Sequence, residues 1–83
     1  MSSQMTRNEL NQKLCAVITT LNEVEFAPEV SLYLGLGSDL EQWKVVKNVL
    51  MLGRLAIENG DYSLSITSAG RQMAAEINAI GLH

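Results

Sequence analysis

Ser38-Asp39-Leu40-Glu41-Gln42-Trp43-Lys44-Val45-Val46-Lys47-Asn48-Val49-Leu50-Met51-Leu52-Gly53 carries the most informative pattern in the chain, together with the segment that follows it from Arg54 through Asn59-Gly60 to Ile66-Thr67. Ser38 and Glu41 have the spacing of a capping box, in which each side chain takes one unpaired amide at a helix start. Gly53 falls where a helix of this length needs a left-handed stop residue. Between those ends, a rotation of 100° per residue puts Trp43, Val46 and Leu50 on one stripe with Leu40 at its edge. Glu41, Lys44, Val45 and Asn48 lie on the opposite side. The stretch therefore predicts a helix with one buried and one presented face, leading directly into a hairpin. Asn59-Gly60 marks the hairpin tip, since both positions tolerate positive φ. Tyr62, Leu64 and Ile66 alternate with Ser63 and Ser65, giving the second strand a dry face and a wet face.

Upstream, Thr6 and Glu9 repeat the capping-box spacing and open a helix that runs to about Asn22. Leu10, Leu14, Val17, Ile18 and Leu21 form its stripe. Residues 1–5 are expected to be disordered. Residues 23–27 read as loop or as a short first strand. Pro28 suits a first helical position, so a second helix is expected from Pro28 to about Leu34. Val30, Tyr33 and Leu34 are its inward side chains, with Leu32 and Leu36 closing the other side. Gly35-Leu36-Gly37 breaks the chain before Ser38. Downstream, Thr67 caps a last helix from Ser68 to Ile80, with Gly81 as its stop. Ala69, Met73, Ile77 and Ile80 line one face, and Gly70 beside them permits close approach to the hairpin.

This order, α-α-α-β-β-α, is mainly helical with a short β-hairpin and matches a winged helix-turn-helix, in one domain over residues 1–83. A helical bundle with an incidental hairpin is the alternative. The chain has 83 residues, 47% hydrophobic and 18% charged, which suits a folded globule and argues against disorder. Cys15 is the only cysteine, so no internal disulfide forms and a reducing, cytoplasmic setting is expected. No signal sequence is read at the N-terminus, and no apolar run is long enough for a bilayer.

The net charge is −3, and the charges are unevenly placed. Residues 14–43 hold Glu23, Glu25, Glu29, Asp39 and Glu41 with no cation, whereas residues 44–54 hold Lys44, Lys47 and Arg54 with no acid. Lys44 and Asn48 share the presented face one turn apart, where Asn suits adenine and Lys suits guanine or phosphate. Lys47, Arg54 and Arg71 complete the DNA-binding candidates. The acids Glu23, Glu25 and Glu29 read as a solvated loop. Trp43 reads as a core anchor. His83 is the only histidine, and no catalytic, metal-binding or cofactor-binding group is read, so an enzyme is not expected. Cys15, Ala75, Ala79 and Leu82 lie off the core stripes and are candidates for a homodimer interface between the first and last helices.

Leu50-Met51-Leu52-Gly53-Arg54-Leu55, then Gly60-Asp61-Tyr62, then Leu64-Ser65-Ile66-Thr67-Ser68-Ala69-Gly70-Arg71 resembles the end of MarR- and PadR-like bacterial regulators. There the region carries leucines, a glycine, a hairpin and a Leu-Thr-x-x-Gly-Arg turn, with Ile66 here at the leucine position. The resemblance covers residues 28–80 and is specific to the fold superfamily. It implies a DNA-binding regulator whose helix from Asp39 to Leu52 enters the major groove, and terminal helices that pair in a dimer. The hairpin tip departs from that pattern, with Glu58 and Asp61 where such wings carry Arg or Lys. Two functions follow as expectations. The first is a small transcriptional regulator acting by occupancy of a DNA site. The alternative, ranked second, is an acidic winged-helix module, an adaptor or mobile-element inhibitor, that binds a protein and not DNA.

Overall fold

The computed structural model describes residues 5–80. The elements run α1 (Arg7–Val24), β1 (Phe26–Pro28), α2 (Glu29–Gly35), α3 (Leu40–Leu52), β2 (Ala56–Glu58), β3 (Ser63–Ile66) and α4 (Ser68–Ile80). The described residues are mainly helical, with four helices and one small antiparallel sheet. The order α-α-α-β-β-α is corrected by β1, which joins the hairpin in a three-stranded sheet ordered β1-β3-β2. Its register pairs Phe26 with Ser65 and Ile57 with the same Ser65 from the other side. Among the described residues no helix is long and apolar enough to cross a membrane.

The capping box of α1 forms as the spacing predicts. Glu9 N–H donates to Thr6 Oγ1 at 3.1 Å, and Thr6 N–H donates to Glu9 Oε1 at 3.0 Å. The hydrogen bond from the Thr6 backbone holds the Glu9 carboxyl below its ordinary value. Leu14, Val17, Ile18 and Leu21 are buried, and Leu10 is half-buried. Met5, expected in a disordered start, rests against this core; residues 1–4 lie outside the described residues.

The second helix differs from its expectation at both ends and in its facing. Pro28 is the last residue of β1 and the N-cap of α2, not its first helical residue. Glu25 and Glu29 flank it with the ladder bonds Ile66 N–H to Glu25 C=O and Glu29 N–H to Tyr62 C=O. The alternation of an antiparallel ladder then turns position 28 outward, where a missing N–H costs nothing. Leu32 and Leu36 are buried, whereas Val30 and Leu34 are exposed. Both pairs are apolar and four apart on opposite sides of a two-turn helix, so periodicity alone does not choose between them. The helix closes with a Schellman motif: Ser38 N–H donates to Tyr33 C=O at 3.2 Å and Gly37 N–H to Leu34 C=O at 3.1 Å. Gly37 takes φ +95° there, which glycine tolerates at no steric cost.

Ser38 has φ 62° and belongs to that turn, so Asp39, not Ser38, is the N-cap of α3. Its carboxylate accepts from Gln42 N–H at 3.1 Å. Trp43, Val46 and Leu50 are buried as predicted, and Leu40 is exposed. The helices that pack on α3 are α1 and α2; α4 packs chiefly on α1. Gly53 is not the left-handed stop. It has φ −82°, and Arg54 takes the left-handed position at φ 54°. Leu55 N–H reaches Leu50 C=O at 2.9 Å and Arg54 N–H reaches Met51 C=O at 3.2 Å, a second Schellman motif one residue later than expected.

The hairpin tip is longer than a two-residue Asn-Gly turn. Asn59 N–H donates to Ser63 C=O at 2.8 Å, leaving Gly60-Asp61-Tyr62 as the loop. Tyr62, not Gly60, takes the positive φ, at 62°. This is the position that a three-residue hairpin loop holds in the left-handed region. Tyr62 therefore leaves the dry face and is exposed, while Ser63 is buried. Asn59 Nδ2 donates to Ser63 Oγ at 3.0 Å and to Ser65 Oγ at 2.8 Å, which satisfies the polar groups of the outer sheet face. Leu64 on the inner face is fully buried with Val46, Leu50, Ile18 and Leu21. Each such side chain stabilises the fold by about 1.5–3 kcal/mol.

Thr67 caps α4, accepting from Gly70 N–H at 3.1 Å while its hydroxyl donates to Arg54 C=O at 2.6 Å. The buried face of α4 is Gly70, Ala74 and Ile77; Ala69 and Ile80 are exposed and Met73 is half-buried. The face is rotated from the one expected because Gly70 itself turns inward. A Cβ there would fall on the Leu55 carbonyl oxygen and within 2.7 Å of Ile66 Cγ1. Gly81, Leu82 and His83 lie outside the described residues.

Candidate functional site: the exposed face of α3

The presented face of α3 is set by the same periodicity that buries Trp43, Val46 and Leu50. Glu41, Lys44, Val45 and Asn48 are all exposed, as predicted. Leu40 and Leu52 join them, so half of this face is apolar: Leu40 is 54% exposed, Val45 46% and Leu52 76%. Its charged members, Glu41 and Lys44, cancel.

The basic candidates do not form one strip. Lys47 Nζ lies 2.8 Å from Glu29 Oε1 and 2.7 Å from Glu58 Oε2. Hydrogen bonds to Glu29 and then Glu58 raise the Lys47 pKa above its ordinary value, and the bond from Lys47 lowers that of Glu58. Lys47 is thus an internal brace joining the start of α2, the middle of α3 and the end of β2. Glu29, read as a solvated loop acid, is largely covered. Arg71 lies 3.9 Å from Glu25 and donates to Asn22 Oδ1 at 3.4 Å. Among the described residues Lys44 and Arg54 make no salt bridge within 4.0 Å. The hairpin acids Glu58 and Asp61 are exposed, and Asp61 accepts from Ser63 Oγ at 2.6 Å.

Cys15 is half-buried against the core. Ala75 and Ala79 are exposed on α4 among Gln72, Glu76 and Asn78, and Leu82 lies outside the described residues. The sequence reading missed the sheet's outer face, where Phe26 is 61% exposed and Ile57 56% exposed on either side of Ser65. The signal that finds it is the register, which is absent until β1 is recognised as a strand.

No family model matches the chain, and neither a curated protein nor a solved structure is similar enough to stand as its relative.

Proposed function

We propose that the chain is a winged helix-turn-helix module that works by binding another protein through the exposed face of α3. The order helix, strand, helix, helix, hairpin, helix supports the winged-helix reading, with Gly37 in the turn between α2 and α3. The capture of Lys47 by Glu29 and Glu58 carries the functional part. It removes the central cation of the basic block from any phosphate and leaves a face half apolar and electrically neutral. Such a face resembles the core of a protein interface, where charged residues are depleted. On this reading the chain is an adaptor or inhibitor in its mode of action, and binding, not catalysis, is its role.

A second reading, the DNA-binding regulator acting by site occupancy, is favoured by one observation. Lys44 and Asn48 are both exposed and one turn apart on α3, the arrangement that base-edge contact requires. A photo-crosslinking amino acid at Val45, in the cells that make this protein, separates the two. The proposal predicts an adduct destroyed by protease and unaffected by nuclease. A nuclease-sensitive adduct from Val45 overturns it in favour of the regulator.

A further inference from the structure

Between the end of α3, strand β2 and the start of α4 lies an open concavity of about 530 Å³, a size that suits a ligand or a few side chains of a partner. Its apolar lining includes Met51, Ile57 and Ala69, and two charged residues, Arg54 and Glu58, border it. The two charges are not equivalent. Glu58 is held by Lys47 Nζ at 2.7 Å, so its charge is neutralised within the molecule. Arg54 is exposed and makes no salt bridge among the described residues. The concavity is therefore apolar with one uncompensated cation beside it. That cation stands on a fixed backbone. Arg54 N–H donates to Met51 C=O at 3.2 Å, and Arg54 C=O accepts from the Thr67 hydroxyl at 2.6 Å. These bonds pin the residue at φ 54°, a conformation that costs an arginine strain and a glycine none. The turn by itself favours glycine, so the guanidinium is what position 54 adds.

We infer that the concavity takes an acidic, apolar segment of the protein partner, with aliphatic side chains on Met51, Ile57 and Ala69 and a carboxylate on the Arg54 guanidinium. The inference rests on the reading that the chain binds a protein, and it names the chemistry of that partner. Charge complementarity selects the occupant. A basic segment would set a cation against Arg54 and find Glu58 already bound by Lys47. A wholly apolar segment would bury the guanidinium without a partner, at a desolvation cost. A phosphate would suit Arg54 and leave the apolar lining uncovered. A carboxylate on an aliphatic segment meets both demands, since a guanidinium donates two parallel N–H bonds to it. The concavity also continues the face proposed for α3. Leu52, 76% exposed, ends that face, and Met51 beside it in the chain begins the concavity.

The test is an NMR titration of the isotope-labelled full chain with the peptide acetyl-Leu-Leu-Glu-amide up to about 10 mM, read at the methyl signals of Met51, Ile57 and Ala69. The inference predicts saturable shifts at all three. The matched Leu-Leu-Gln and Gly-Gly-Glu peptides bind at least about threefold more weakly, one lacking the charge and the other the apolar side chains. Arg54→Gly, which suits the turn, keeps the fold and removes the preference for Glu over Gln. If Arg54→Gly does not fold, Arg54→Gln is expected to remove the same preference. The inference is overturned by absent shifts, by equal binding of the Glu and Gln peptides, or by a preference that survives both replacements. Shifts that appear on concentrating the protein alone overturn it in favour of a second copy. Inorganic phosphate that moves the same methyls as strongly as the peptide overturns it in favour of a simple anion site. The Val45 adduct is scored separately. A failed titration beside a protease-sensitive adduct sinks the inference and leaves the reading of α3 standing, whereas a nuclease-sensitive adduct removes both.

Discussion

Gly53 and Gly70 are each followed by an arginine in the sequence, and the structure gives them opposite tasks. Gly70 has no room for a side chain, because a Cβ would meet the Leu55 carbonyl oxygen and Ile66 Cγ1. Gly70→Ala is expected to cost about 1–3 kcal/mol by overpacking, read from the midpoint of a denaturant titration. Gly53 has an ordinary helical φ of −82°, and the nearest atom to an added Cβ is Leu55 Cγ at 3.3 Å. Gly53→Ala should therefore change stability by less than about 1 kcal/mol. A large loss there would restore Gly53 as the left-handed stop. Trp43, buried with Val46 and Leu50, is expected to cost about 3–5 kcal/mol on truncation to Ala. Trp43 and Gly70 were legible in the sequence because each stands beside a strong apolar stripe. The left-handed residue was not, because the stop is fixed by where Leu55 meets Leu50, and Arg54 then accepts the strained conformation.

At the scale of elements, the brace through Lys47 is the feature that ties α2, α3 and β2 together. Its three members are distant in sequence, so no local pattern announces it, and Lys47 reads instead as part of a basic block. Its pH signature has two limbs. Glu58 has a folded pKa lowered from 4.5, so its contribution is complete above that value and is lost as pH falls through the lower one. Lys47 has a folded pKa raised from 10.5, so its contribution is complete below that value and is lost as pH rises through the higher one. Thermal unfolding should show a plateau between about pH 5 and pH 10 for this brace. Lys47→Met should lower the plateau and flatten the alkaline limb. An unchanged profile would mean that the brace carries no stability. The facing of α2 was likewise illegible, since Val30 with Leu34 and Leu32 with Leu36 are equivalent apolar pairs. The stripes of α1 and α3 were legible because their opposite faces are polar enough to break the symmetry.

At the scale of the whole molecule, the four helices and the hairpin follow from caps, stripes and turn residues, and the sheet does not. β1 is three residues long and contains a proline, and its identity depends on pairing with β3. The same is true of the surface proposed for function. Lys44 and Asn48 were placed on the exposed face of α3 by periodicity alone, and there they stand. That their neighbour Lys47 is already bound by two carboxylates is a tertiary fact, and it is the observation that supports the proposed protein-binding reading over the phosphate-binding one. With a net charge of −3, the cations near α3 that make no salt bridge among the described residues are Lys44 and Arg54.

Counterion release makes that balance measurable, because the log–log slope of DNA affinity against salt is about −0.9 per neutralised phosphate. Lys44 and Arg54 together allow a slope of about −2 for each chain. A fluorescence-anisotropy titration of a mixed-sequence duplex, repeated from low salt upwards, is the most direct test. The predicted result is no saturable binding below about 100 μM at physiological salt, the weak limit of non-specific association. At low salt, only shallow dependence on salt is predicted, unchanged by Lys47→Met. Micromolar binding with a slope of about −4 or steeper, lost when Lys44 and Asn48 are replaced, would contradict the account and make α3 a DNA-reading helix.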